Sequence, residues 1–209
     1  MGHARVYPMN SKADAYDKLD LYCLSTGIPN VLITDNAGEE ASGMWNSVQK
    51  KFLIQQRTTE PYSPWQNKAE REIQELKKHF RRVMHCNRCP ELLWDYGMEY
   101  TSKLCDHVSQ QSLDGRTPLE STTGETPDIS ELLDFEFYGV FKYHGRNSGG
   151  TENDLGRWLG VAENVEQAMC YYHVLQPNGR VLVHSTVRPL LKEEWLDKSE
   201  KALRLEFDT

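Results

Sequence analysis

The chain has 209 residues, 24 Lys and Arg against 31 Asp and Glu, and a formal net charge of −7 at neutral pH. It holds no apolar run long enough to cross a bilayer and no apolar N-terminal core of the kind a secretory leader carries. Its five cysteines are scattered and odd in number, which argues for reduced thiols in an intracellular protein, nuclear or cytoplasmic.

In chain order, Arg5 to Met9 reads as a short strand. Ser11 is placed to cap a helix running to about Ser25, with Ala15, Leu19, Tyr22 and Cys23 on its apolar face. Gly27 and Pro29 end it. Val31 to Thr34 is a continuous apolar run, the pattern of a fully buried strand. With the strand at Arg5 to Met9 it would complete a right-handed βαβ unit. A helix from about Glu40 to Phe52 should turn Met44, Trp45, Val48 and Phe52 inward. Leu53 to Thr58 is a further strand, and Glu60 to Trp65 a Pro-containing loop.

A long helix is predicted from about Gln66 to His85, with Ala69, Ile73, Leu76, Phe80 and Val83 apolar. Pro90 breaks it. The next helix runs to about Val108, with Leu93, Trp94, Met98, Ser102 and Cys105 inward. A loop with a short helix covers Gly115 to Thr126. Strand character then dominates in Phe135 to Phe141, Arg157 to Ala162, Ala168 to Leu175 and Arg180 to Val187. Pro177-Asn178-Gly179 marks a hairpin turn between the last two. This half reads as a small antiparallel β-barrel.

Chemistry concentrates at two carboxylates. Asp35 follows the apolar run, at the carboxyl edge of a sheet. Glu70 lies in the first turns of the long helix. A strand end and a helix that both carry carboxylates suit a divalent-metal phosphoryl-transfer site, because Mg²⁺ and Mn²⁺ take hard oxygen ligands. From Gln66 to Arg88 there are seven basic residues (Lys68, Arg71, Lys77, Lys78, Arg81, Arg82, Arg88) and three acidic ones (Glu70, Glu72, Glu75), a local charge of +4 in an acidic chain. Such a stripe can meet phosphates. It can equally be a solvated helix face.

At these residues the sequence resembles the integrase core of copia-type retrotransposons. The resemblance rests on Thr34-Asp35-Asn36-Ala37-Gly38-Glu39-Glu40 and on Tyr62-Ser63-Pro64-Trp65-Gln66-Asn67-Lys68-Ala69-Glu70-Arg71. It continues through Leu92-Leu93-Trp94, Thr117-Pro118-Leu119-Glu120, Asp134 to Gly139, Gly156-Arg157-Trp158-Leu159-Gly160 and Asn178-Gly179-Arg180-Val181. It implies a ribonuclease H-like core over residues 1–126, incomplete at its start, then a linker over 127–133, a small barrel over 134–192 and a tail over 193–209.

The family's activity is DNA integration by Mg²⁺- or Mn²⁺-dependent phosphoryl transfer. The resemblance implies Asp35 and Glu70 as catalytic metal ligands. It gives Gln66, Asn67, Lys68, Arg71, Lys77 and Lys78 to DNA, with element ends and target as partners. Such integrases use a third carboxylate on an earlier strand, and no counterpart precedes Asp35 in this sequence. Lys68 stands where the family has Gly, and the Asp35–Glu70 spacing is one residue short. A catalytically inactive relic, or a domesticated DNA- or protein-binding module, is therefore the alternative. A sheet missing its central strand would also have an open edge that invites association into homo-oligomers.

Other candidates carry less. Cys86-Asn87-Arg88-Cys89 is a lone pair of soft ligands, and a zinc site needs two more, so no zinc is expected. Asp14, Asp17 and Asp20 recur every third residue, the spacing of a solvated helix face. Asp106-His107 with Ser109 has no nucleophile-elbow context. Trp158 and Tyr171-Tyr172 fit a barrel core better than a base-stacking platform.

Overall fold

The computed structural model describes residues 2–34, 43–59, 68–130, 136–144, 153–162 and 172–207. The chain is mixed α/β and forms two compact units, residues 6–75 and residues 1–5 with 76–209.

In the unit of residues 6–75, Ser11 opens the first helix with a capping box. Its hydroxyl accepts from Ala13 N, and its own N–H donates to Asp14 Oδ2 at 3.2 Å. Both orphan donors of the first turn are thereby satisfied. A 3₁₀ turn, Lys12–Asp14, leads into α1, Ala15–Ser25. Helix α2 spans Gly43–Phe52. Leu19 and Cys23 of α1 bury against Trp45 and Val48 of α2 and against Ile54, with Ala15, Tyr22 and Phe52 at the margin. Lys51 Nζ meets Asp20 Oδ1 at 2.6 Å across the two helices.

Strands β1, Val31–Thr34, and β2, Gln55–Thr58, pair in parallel, with Val31 opposite Gln55 and Thr34 opposite Thr58. Parallel neighbours need a crossover, and here α2 is in it. The βαβ unit is therefore β1–α2–β2, one element later than expected. Arg5 to Met9 is not a strand. Just before that stretch, Ala4 N donates to Asp106 Oδ1 at 3.0 Å, and its carbonyl accepts from Ser102 Oγ at 2.7 Å. Side chains thus hold the backbone at Ala4. Strand β1 is also less buried than its composition suggests, with Ile33 63% exposed. Met44 is exposed as well, so the inward stripe of α2 is narrower than predicted.

Helix α3 runs from Lys68 to Cys86. After Pro90, a 3₁₀ turn at Glu91–Leu93 leads into α4, Trp94–Asp106. Met84 and Cys89 pack with Leu93, Phe137, Tyr138 and Leu159, and Phe80, Val83, Tyr96 and Tyr100 close the cluster. Gly97 lets α4 approach α3, since a Cβ there would lie 2.5 Å from Met84 Sδ. Trp94, expected inward, is exposed, whereas Thr101, Ser102 and Asp106 are buried. Helix α5, Pro118–Thr123, is capped by Thr117 Oγ1, which accepts from Glu120 N.

The second sheet is antiparallel, in the order β6-β5-β4-β3-β7. Its strands are β3 Val140–His144, β4 Asn153–Val161, β5 Tyr172–Leu175, β6 Val181–His184 and β7 Val187–Pro189. The segment expected as one strand from Arg180 to Val187 is thus two. Where a barrel was expected, the described ladder is a five-stranded sheet with β6 and β7 at its ends. The β5–β6 turn is the expected hairpin. Gly179 has φ +77, and Asn178 Oδ1 accepts from Arg180 N at 2.9 Å. One face of the sheet buries Phe141, Tyr143, Trp158 and Val174. Two further helices follow, α6 Lys192–Leu196 and α7 Lys198–Phe207.

Candidate functional site

Asp35, Gln66 and Asn67 lie outside the described residues. What is described is the end of β1, at the residue before Asp35 in the sequence. Thr34, the last residue of β1, accepts from Gln56 Nε2 at its hydroxyl (2.9 Å) and from Thr59 N at its carbonyl (2.9 Å). Gln56 Oε1 in turn accepts from Gln49 Nε2 of α2 at 2.6 Å. The strand end is thus pinned to β2 and to the crossover helix. Glu70 is exposed in the first turn of α3, where a carboxylate is favoured by the unpaired N–H groups of the helix start.

Lys68, Arg71, Lys77 and Lys78 are all exposed on α3. At 3.6 residues per turn, they do not share one face. The apolar stripe is Leu76, Phe80, Val83 and Met84. Opposite it stand Arg71, Lys78, Arg82 and His85, at spacings of seven, four and three, all exposed. The stripe is about 21 Å long at 1.5 Å per residue. Lys77 and Lys68 sit roughly 80–100° to either side of Lys78. Glu75, four residues after Arg71 and three before Lys78, weakens the field at mid-stripe. Arg82 and His85 were not among the residues expected to meet DNA, although their spacing to Lys78 is legible in the sequence.

The weaker candidates find structural roles. Asp14 belongs to the Ser11 capping box, and Asp20 pairs with Lys51. Asp106 is 2% exposed, binds Ala4 N, and lies 3.0 Å from His3 Nδ1, so it anchors the chain near its start. Cys86 is exposed while Cys89 is buried in the α3–α4 cluster. Burial pushes the Cys89 thiol up to about 11. Trp158 is 1% exposed and belongs to the sheet core. Among the described residues, no group of three or more His, Cys, Asp or Glu is placed to hold a metal ion. Among those residues, too, no helix is long and apolar enough to cross a membrane.

No family model and no curated protein matches the sequence. Among solved structures, the chain is similar to one in the cryo-EM structure of the simian T-cell lymphotropic virus intasome in complex with PP2A regulatory subunit B56 gamma. The identity is 13%, with 88% of this chain and 68% of that chain covered and a TM-score of 0.45. A TM-score at that level is below what fixes a shared fold. What stands on the geometry is a mixed α/β chain with a parallel β1–β2 pair, a five-stranded antiparallel sheet and a helix presenting a basic stripe.

Proposed function

We propose that this chain is the integrase region of a copia-type retrotransposon polyprotein. In this reading residues 1–126 are a ribonuclease H-like core, and residues 134–192, with their five-stranded antiparallel sheet, are the small domain that follows it. The observation that carries the reading is the β1–α2–β2 unit. A parallel strand ends directly before Asp35, and the same compact unit holds Glu70 at the start of a basic helix. Strand ends and helix starts are where α/β folds gather polar chemistry.

Asp35 and Glu70 offer hard carboxylate oxygens, which fit Mg²⁺ or Mn²⁺ and not a soft-ligand metal. A bound ion would supply Lewis-acid stabilisation of charge on a phosphodiester oxygen. The chain's own part is to orient those carboxylates and to hold DNA. Arg71 and Lys78 neutralise phosphates along α3, Lys68 and Lys77 flank them, and Gln66 and Asn67 hydrogen-bond near the helix start.

A second reading is a DNA-binding module without catalysis. It is favoured by the basic stripe, which needs no metal to bind phosphate. The test uses the 209-residue chain. Mn²⁺ should raise its melting temperature, and Asp35→Asn with Glu70→Gln should remove that rise. An unchanged Mn²⁺ response in the double variant would overturn the metal site. Mn²⁺-dependent joining of a labelled DNA end, lost in Asp35→Asn, would decide for the catalytic reading over the binding one.

A further inference from the structure

A cavity of about 800 Å³ lies within residues 76–209. It is lined by Arg88, Arg157, Lys201 and Arg204 together with the aromatic side chains of Tyr138 and Trp195, and among the described residues no carboxylate lines it. Four cations around one concave space favour an anionic occupant. Two of them are positioned by aromatic rings and backbone carbonyls. The Arg157 guanidinium lies over the Tyr138 ring, 4.8 Å from its centre, and Nη1 donates to the Tyr138 carbonyl at 3.1 Å. The Arg204 guanidinium lies over Trp195 at 4.2 Å, and Nη2 donates to the Trp195 carbonyl at 2.8 Å. Stacking and carbonyl acceptance fix the planes of both forks. Arg204 Nη1 is buried and has no acceptor among the described residues. A buried donor without an acceptor is costly.

We propose that this cavity is a binding site for a phosphate-bearing ligand of nucleotide size. Planar guanidinium forks match phosphate oxygens two at a time. Lys201, exposed on α7, adds a mobile point charge. The volume lies within the usual range of small-ligand pockets, far more than one inorganic ion needs. Trp195 is about half exposed and can lie against the organic part of the ligand. The residues involved all belong to the unit of residues 76–209, and the proposal is independent of the integrase reading.

The experiment is calorimetric titration of the full chain with ADP, adenosine and a 5′-phosphorylated trinucleotide, with the change in tryptophan emission that Trp195→Phe removes as a second signal. ADP should reach half-saturation at or below about 1 mM, and adenosine should fail to bind. Lys201→Gln, exposed and tolerant of change, should weaken ADP several-fold. Lys201→Gln with Arg204→Gln should weaken it at least about tenfold, with the circular dichroism spectrum unchanged. A trinucleotide that binds more tightly than ADP, and is weakened by the same variants, supports the phosphate site with a nucleic-acid strand as its source. The proposal is overturned if no phosphate ligand binds at about 10 mM, if adenosine binds as well as ADP, or if Lys201→Gln leaves affinity unchanged.

Discussion

Gly156 on β4 is the position where one added methyl group should cost most. An ideal Cβ there would sit 2.7 Å from Val174 Cγ1, 3.1 Å from the Leu175 carbonyl oxygen and 3.1 Å from Tyr143 Cε1. None of these can yield easily. Val174 is fully buried and stiff at χ1, the carbonyl is backbone of the neighbouring strand, and Tyr143 is 3% exposed with its hydroxyl held by Gln176 at 3.0 Å. Overpacking of this kind costs about 1–3 kcal/mol, and stiff neighbours put this site at the upper end. Replacing a strand glycine by alanine returns about 0.5–1 kcal/mol of chain entropy. Gly156→Ala should therefore destabilise by about 2 kcal/mol. Val174→Ala alone should cost a similar amount through lost burial and a residual cavity, roughly 2 kcal/mol. In the double variant the new methyl enters space vacated by Cγ1, so the costs should fall short of additivity by about 1 kcal/mol. Urea titrations of the four proteins measure the cycle. A Gly156→Ala protein as stable as the parent, or a strictly additive cycle, would refute the packing argument.

Three further outcomes are expected. Lys78→Glu with Arg82→Glu should flatten the salt dependence of DNA binding by roughly 0.9 log units per log salt for each phosphate no longer neutralised, while Lys77→Glu, off the stripe, does less; filter binding across a salt series checks this. Maleimide labelling followed by peptide mass mapping should find Cys86 modified well before Cys89, because Cys86 is exposed and burial raises the Cys89 pKa to about 11, leaving almost no thiolate at a pH of about 8. Two bonds from Arg188 (2.7 and 2.8 Å), one from Leu191 N and Lys142 at 3.0 Å hold Glu194 well below the usual carboxylate range. A depressed folded-state pKa stabilises above the ordinary Glu value of about 4.3, and that stability is lost as pH falls below it. Glu194→Gln should cost about 1 kcal/mol at neutral pH, discounted for the exposed Arg188, and the gap to the parent should close in acid melts.

Local signals in the sequence located most elements. Ser11 with Asp14 marked the first cap, Thr117-Pro118 the start of α5, and Asn178-Gly179 the β5–β6 turn, each because a few adjacent atoms decide the conformation. The misplaced strand at Arg5 to Met9 failed for the opposite reason. Ala4, the residue just before it, is held by Asp106 and Ser102, far along the chain, and no local pattern carries that contact. Periodicity also found the apolar sides of α2 and α4 but not their width. Met44 falls at the margin of its stripe, whereas Trp94 is in phase with Gly97, Thr101 and Ser102 but sits at the first residue of α4, and both are exposed. At the candidate site, residue types and helix position were legible for Lys68, Glu70, Arg71, Lys77 and Lys78. The grouping of Arg82 and His85 with Arg71 and Lys78 was open to the same reading, through spacings of seven, four and three on one predicted helix.

Strand β4 is clad on both sides. Trp158 packs with Phe141, Tyr143 and Val174, while Leu159, its neighbour, packs with Phe137, Tyr138 and Met84, and the pairing register to β5 shifts between Trp158 and Val161. A strand with one wet face accumulates neutral substitutions at every second position. This strand has no such alternate set from Leu155 to Ala162, and a single-residue insertion or deletion there would exchange the partners of Trp158 and Leu159. Drift should instead collect on β6, where Leu182 and Val183 are both exposed. Among diverging copies of this sequence, β4 should be the most reliable anchor for alignment, and β6 the strand along which lineages separate first.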